Sequence, residues 1–262
     1  MINLAYEDRG TGDPVLFIAG RGGVGRTWHL HQTPAFLAAG YRVITFDNRG
    51  TGATESADGF TTAQMVGETA ALIEGLAAGP VRVVGSSMGS FIAQELMLAW
   101  PELISQAVLM ATRGRHDRTR DFFRTAENAL AASGAKLPAE YSAKVRLLES
   151  FSPKTLNDDR AVDDWIGMFT MWPTKPTPGL RRQLDIVPDG NRLAAYRSIT
   201  VPTLVIGFAD DVIHPPHLGA EVADAIPNAR YLQFPDTGHL GFIEAPQAVN
   251  AAALDFFAGR TV

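Results

Sequence analysis

The chain has 262 residues, 46% of them hydrophobic, so it can bury a sizeable core and does not read as disordered. A net charge of −5 argues against nucleic acid or an anionic membrane as its main partner, since either calls for a basic surface. The absence of cysteine excludes a disulfide framework, a Cys-ligated metal, an iron–sulfur cluster and a thiol nucleophile.

The N-terminus, Met1-Ile2-Asn3-Leu4-Ala5-Tyr6-Glu7-Asp8-Arg9, has neither a basic n-region nor a long apolar h-region. No apolar stretch approaches the length of a bilayer span, and the expectation is a cytoplasmic enzyme. The first β-rich run is 15–18, followed by the glycine-rich Ala19-Gly20-Arg21-Gly22-Gly23-Val24-Gly25-Arg26. That stretch lacks the spacing of a P-loop or of a dinucleotide fingerprint, so phosphate binding is the weaker reading. Further runs fall at 42–46, 81–84, 107–110, 203–206 and 230–234.

Most of these runs are apolar on both faces and alternate with helical segments. This predicts an α/β fold with a doubly wound, mostly parallel sheet. Between 113 and 197 the rhythm changes to helical patterns containing Phe122, Phe123, Leu130, Val145, Leu147 and Leu148. A further helix-like piece, 163–172, is stopped by Pro173, and Pro176, Pro178 and Pro188 punctuate the return to the sheet. The expected organisation is a core of 1–112 and 198–262 with a helical cap inserted at 113–197.

Ligands to such sheets bind beyond the carboxyl ends of the strands. The run 81–84 leads into Gly85-Ser86-Ser87-Met88-Gly89 and then into a helix closed by Pro101. This is the strand–turn–helix context in which G-x-S-x-G exposes its central serine as a nucleophile, here Ser87. Of the six histidines, only His239 follows a late strand and a glycine, making it the expected base. The acid is expected after the run 203–206, where Asp210 and Asp211 are adjacent candidates. Backbone N–H groups of Arg21 and Met88 are the expected oxyanion donors.

Trp28, Trp165, Phe169 and Phe242 are candidates to line an apolar pocket, with Phe91, Met168 and Trp172 as further possibilities. The pairs His29/His31 and His214/His217 do not supply a convincing metal set, and none is expected. Arg113, Arg115, Arg118 and Arg120 form a basic cluster, read as a solvated face or as a greeting for an anionic substrate.

Together these residues resemble the α/β-hydrolase superfamily along the whole chain. Phe46-Asp47-Asn48-Arg49-Gly50-Thr51-Gly52 looks like its D-x-R-G-x-G turn. Asp211-Val212-Ile213-His214-Pro215-Pro216 resembles its D-x-V-T-P-P acid loop, which favours Asp211 and puts His214 where threonine is usual. Ala19 replaces the usual oxyanion-loop histidine. Within the superfamily, the segments 20–29, 109–115 and 208–211 resemble actinobacterial proteins named non-haem bromoperoxidases.

The resemblance implies a cofactor-free enzyme acting through an acyl-enzyme on an ester, thioester or lactone, with perhydrolysis as a side activity. The competing readings are a lyase using the same residues as a base, motivated by Arg21, Arg49 and Arg113, and a non-catalytic binding homologue. The expected partner is a small molecule with an apolar part, and self-association is left open.

Overall fold

A computed structural model describes residues 3–54, 59–171, 177–186 and 190–261. In chain order the main elements begin with β1 (Tyr6–Arg9), β2 (Pro14–Ile18), α1 (Gln32–Ala38), β3 (Arg42–Phe46) and α2 (Thr62–Gly75). Next come β4 (Val81–Ser86), α3 (Met88–Ala99) and β5 (Ile104–Met110). The inserted helices are α4 (Arg118–Ser133), α5 (Ala139–Ser150), α6 (Pro153–Leu156), α7 (Asp159–Met171), α8 (Pro178–Arg182) and α9 (Leu193–Tyr196). The chain then returns as β6 (Thr203–Phe208), α10 (Pro216–Ala225), β7 (Ala229–Phe234), α11 (Gly241–Glu244) and α12 (Pro246–Phe257).

The strands form one sheet in the order β1-β3-β2-β4-β5-β6-β7. All neighbours are parallel except β1, which runs antiparallel to β3. The core divides by the period of two. Leu16, Ile18, Ile44, Val81 and Val83 face one side with Met65 of α2 and Ile92 and Leu96 of α3. Val15, Phe17, Val43, Val84 and Val108 face the other with Phe36 of α1 and Phe256 of α12. Each such side chain contributes about 1.5–3 kcal/mol by leaving water, which explains why these strands are apolar on both faces.

Every sequence-predicted run is a strand, whereas β1 gave no signal. Its sequence Tyr-Glu-Asp-Arg is exposed throughout and has no apolar alternation to read. It is held by its ladder to β3 and by Arg42, which makes two hydrogen bonds to Asp8 at 2.9 and 2.6 Å. A charged edge also discourages pairing with another sheet.

The region between β5 and β6 is helical; Ile186 and Tyr196 near its end join the main core, but the apolar residues of α4 to α7 are poorly covered. Ala143, Leu147, Phe151 and Phe169 form a small buried cluster, while Phe122, Phe123, Leu130, Leu148 and Met168 are exposed. Asp117 caps α4 by accepting from the Arg120 N–H at 2.8 Å, and Gly134 ends it in the left-handed region. Pro178 opens α8 as its first residue, where its missing N–H costs nothing. Trp172, Pro173, Pro176 and Pro188 lie outside the described residues.

Candidate active site

Ser87 sits between β4 and α3 with φ 55° and ψ −119°, a conformation that costs a non-glycine residue about 1–3 kcal/mol. Its neighbours hold it there. The Ser87 N–H donates to Met110 O at 3.0 Å, and the Ser90 and Phe91 N–H groups donate to Ser87 O. The buried Ser90 hydroxyl reaches the same Met110 carbonyl at 2.8 Å. A Cβ on Gly85 would meet Gly89 O at 2.7 Å, and one on Gly89 would meet Ile18 O at 2.1 Å. Both glycines are therefore required by the closeness of strand, turn and helix. Ser86, the last residue of β4, is buried, while Ser87 is partly exposed.

His239 Nε2 lies 3.0 Å from Ser87 Oγ, and its Nδ1 lies 2.8 Å from Asp211 Oδ2. The Asp211 side chain is 0% exposed and that of His239 is 9%. The second Asp211 oxygen accepts the N–H groups of Ile213 at 2.8 Å and His214 at 2.7 Å. With Asp211 ionised, His239 carries its proton on Nδ1 and presents Nε2 to accept from the serine. The Asp210 carboxylate makes no hydrogen bond or ion pair among the described residues, and its N–H donates to Thr237 O at 2.9 Å. The geometry thus separates two aspartates that the local residues left as alternatives.

His214 is buried, and its ring stands 5.2 Å from that of His239 at 88°. Its Nδ1–H donates to the carbonyl of Ala111, a residue at φ 49°. Burial, with Arg113 and His239 adding to it, pushes the His214 pKa well below the ordinary value, so the ring is neutral.

The loop after β2 passes directly over the serine. A Cβ on Gly20 would lie 3.2 Å from Ser87 Cβ and 3.8 Å from Oγ. Arg21 N–H donates to no group among the described residues, and Met88 N–H is the first of α3, where no intrahelical partner exists. The turn after β3 fixes this loop. Asp47 accepts Gly25 N–H and Ala53 N–H, each at 2.8 Å, and Asn48 donates to Ala19 O at 2.9 Å.

Gln183, from the inserted region, accepts Gly22 N–H at 2.9 Å and donates to Arg49 O at 2.8 Å. On the histidine side Glu244 accepts from Gly238 N–H, Ser152 N–H and the hydroxyls of Ser152 and Thr155. Glu149 lies close enough to feel His239. Burial first, then the Glu127 charge, raises its pKa, while Arg21 and His239 lower it. Sequence reasoning missed Gln183, Glu244 and Glu149, because no local pattern marks a partner that is distant in the chain.

Two pocket assignments are corrected. Trp28 is 0% exposed, 4.9 Å from Phe242, and both belong to the core under α1 and α12. An aromatic pair sealed on all sides contacts no ligand. Phe91 is likewise core. Trp165 and Phe169 meet Phe151 and each other, with the Trp165 ring tilted against both, and Leu240 beside His239 packs against this group. A groove of about 670 Å³ lies apart from Ser87, lined by residues including Thr61, His116, Arg124 and Arg182.

His29 approaches Thr45 and Glu7, and among the described residues no three His, Cys, Asp or Glu side chains are grouped to hold a metal ion. No helix among them is long and apolar enough to cross a membrane.

Comparison with known proteins adds the lineage. The chain is 71% identical over 258 residues to "Putative non-heme bromoperoxidase BpoC" of Mycobacterium tuberculosis, covering 98% of each chain. It superposes on the crystal structure of that protein from strain H37Rv with a TM-score of 0.97 and 69% identity, covering 100% of this chain and 98% of the other. A "Putative carbamate hydrolase RutD" of Azorhizobium caulinodans is 30% identical, covering 97% of this chain and 94% of its own. The family model described as "Alpha/beta hydrolase family" matches residues 15–252, from β2 into α12, and the chain belongs to that family.

Proposed function

We propose that the protein is a serine-dependent acyl-transfer hydrolase acting on an ester, thioester or lactone with an apolar part. The observation that carries this reading is the continuous hydrogen-bonded chain from Asp211 through His239 to Ser87. Ser87 Oγ attacks the carbonyl carbon while His239 Nε2 takes its proton. Asp211, buried and unable to turn, keeps the ring oriented and balances the imidazolium charge. The carbonyl oxygen becomes an oxyanion, which accepts hydrogen bonds from the N–H groups of Arg21 and Met88 at the N-terminus of α3. His239 then gives its proton to the leaving group. Water, deprotonated by the same histidine, attacks the acyl-enzyme and releases the acid and Ser87.

The likeness to BpoC supports perhydrolysis as a second activity. There hydrogen peroxide replaces water in the last step, and the acyl group leaves as a peracid. The peracid passes one oxygen to bromide, giving hypobromite and the original carboxylic acid.

The test is mass spectrometry after reaction with a fluorophosphonate, alongside a panel of p-nitrophenyl esters, lactones and acetate–peroxide–bromide mixtures. An adduct on Ser87 and ester turnover abolished by Ser87→Ala are expected. A folded protein that forms no Ser87 adduct would sink the reading.

A further inference from the structure

Three arginines lie near the candidate site in sequence, and two are occupied within the protein. Arg21 donates to both carboxylate oxygens of Glu127 at 2.7 and 2.8 Å. Arg49 donates to the buried Glu68 at 2.7 Å and lies 5.3 Å from the centre of the Phe60 ring. Arg113 differs. Among the described residues its half-buried guanidinium makes no hydrogen bond or ion pair, and none of its nitrogens is sealed from a ligand.

The position of Arg113 is built. It follows β5 by three residues, at the sheet end where Met110 O anchors Ser87. Its carbonyl accepts from Gln94 at 3.2 Å, and Gln94 in turn donates to the buried Tyr196 hydroxyl at 2.8 Å. Its charge acts on His214, whose ring abuts His239, and on Arg21, whose backbone flanks Ser87.

Arg120 supplies a second cation beside it, with a side chain only 7% exposed and a buried Nε that has no partner. The nearby acids are already engaged. Asp117 caps α4 and meets Arg120 Nη1 at a long 3.4 Å, and Asp121 lies 3.1 Å from His116.

Arg113 and Arg120 repel each other, and among the described residues the one acid paired with either is Asp117, which meets Arg120 alone and at a long 3.4 Å. Burial, then Arg120, pushes the Arg113 pKa down to about 10, and Asp117 and Asp121 offset this only in part. A guanidinium presents a planar fork that matches a carboxylate better than any neutral group.

We propose that Arg113, backed by Arg120, binds a carboxylate on the substrate, so that the protein prefers acyl groups carrying a second, ionised acid over neutral acyl groups of the same length. This deepens the hydrolase reading and rests on it for the reacting carbonyl, but the anion site itself does not need turnover.

Two measurements separate the claims. In the first, glutarate and glutaramide are titrated calorimetrically into Ser87→Ala protein, where no chemistry intervenes. Glutarate is expected to bind more tightly by about tenfold or more, the scale of one charge-assisted hydrogen bond, and Arg113→Gln to erase the difference. In the second, kcat/KM is compared for p-nitrophenyl hemiglutarate and p-nitrophenyl valerate.

The anionic-to-neutral ratio should fall about tenfold or more in Arg113→Gln, chiefly through KM. It should be largely kept in Arg113→Lys and unchanged in Arg118→Gln, an exposed charge of the same cluster. Equal binding of glutarate and glutaramide, or a ratio lost equally in Arg118→Gln, overturns the proposal. Retained glutarate binding without ester turnover or Ser87 labelling would support the anion site and reject the hydrolase. Should Arg113→Gln fail to fold, Arg113→Met, neutral with a similar apolar stem, takes its place and an unchanged ratio there overturns the proposal, while an unchanged ratio in Arg120→Gln removes that residue from the site.

Discussion

The carboxyl end of the sheet and the helices inserted between β5 and β6 are built to different standards. Around Ser87, His239 and Asp211, the strained residues Ser87 and Ala111 are held by hydrogen bonds to neighbouring strands, and one Asp211 oxygen by two backbone N–H groups. In the insert, four buried residues form the cluster, while Phe122, Leu130, Leu148 and Met171 face solvent. On the proposed mechanism the reacting groups must be held to a fraction of an ångström, so they belong on this firmly hydrogen-bonded part. The insert is tied to that part by hydrogen bonds such as those of Gln183 with Gly22 and Arg49, Glu127 with Arg21, Tyr196 with Gln94, and Ser152 and Thr155 with Glu244. Segments with few buried apolar contacts open locally at low cost, a property suited to admitting ligands of varied shape.

The contrast can be broken most severely at its rigid end. On the proposed mechanism Ser87→Ala lowers kcat for p-nitrophenyl esters by about 10⁶-fold, with a thermal midpoint at or above that of the wild type because the strained seat is retained. Asp211→Asn should cost about 10⁴-fold in kcat, whereas Asp210→Asn should change it by less than about threefold, measured in the same assay.

The insert is tested next. Phe169→Ala removes the middle of the small cluster and should cost about 3 kcal/mol there. Hydrogen exchange should show protection lost in α5 and α7 but kept in β4 and β5. Uniform loss would mean that the insert and sheet unfold as one unit. Gln183→Ala leaves two backbone groups without their partner, and about 1–3 kcal/mol should be lost at the oxyanion loop, read as reduced kcat with little change in KM.

The smallest effect concerns Glu149. Its folded pKa is raised, so it ionises at higher pH than an ordinary glutamate, and once ionised it favours the protonated form of His239. Glu149→Gln removes that charge. The acidic limb of kcat/KM should move to lower pH. The same raised pKa means that the unfolded state releases this proton first as pH climbs past the ordinary glutamate value. Glu149 therefore disfavours folding through that window, and the glutamine variant should be slightly more stable at neutral pH. A limb that stays in place would remove Glu149 from the electrostatics of His239.

Much of the site was legible because its chemistry is written in short range. Gly85, Ser87 and Gly89 declare a tight turn through backbone sterics alone, and the strands declare themselves by being apolar on both faces. The single aspartate that meets His239 was legible only with the help of the acid-loop resemblance, since residues 210 and 211 are chemically identical neighbours. The aromatic residues misled for a comparable reason. Trp28 and Phe242 are apolar whether they line a pocket or fill a core, and only their 4.9 Å contact under the sheet decides.

By itself, then, the sequence determined the sheet, the turn and the identities of the serine, histidine and acid loop, because each depends on residues adjacent in the chain. The tertiary structure decided which charges are free. Arg21 and Arg49 look the same in sequence as Arg113, yet Glu127 and Glu68 reach the first two from distant helices and nothing described reaches the third. Pairing between residues far apart in the chain is a property of the fold, and it is what separates a structural arginine from one with donors left to bind a substrate.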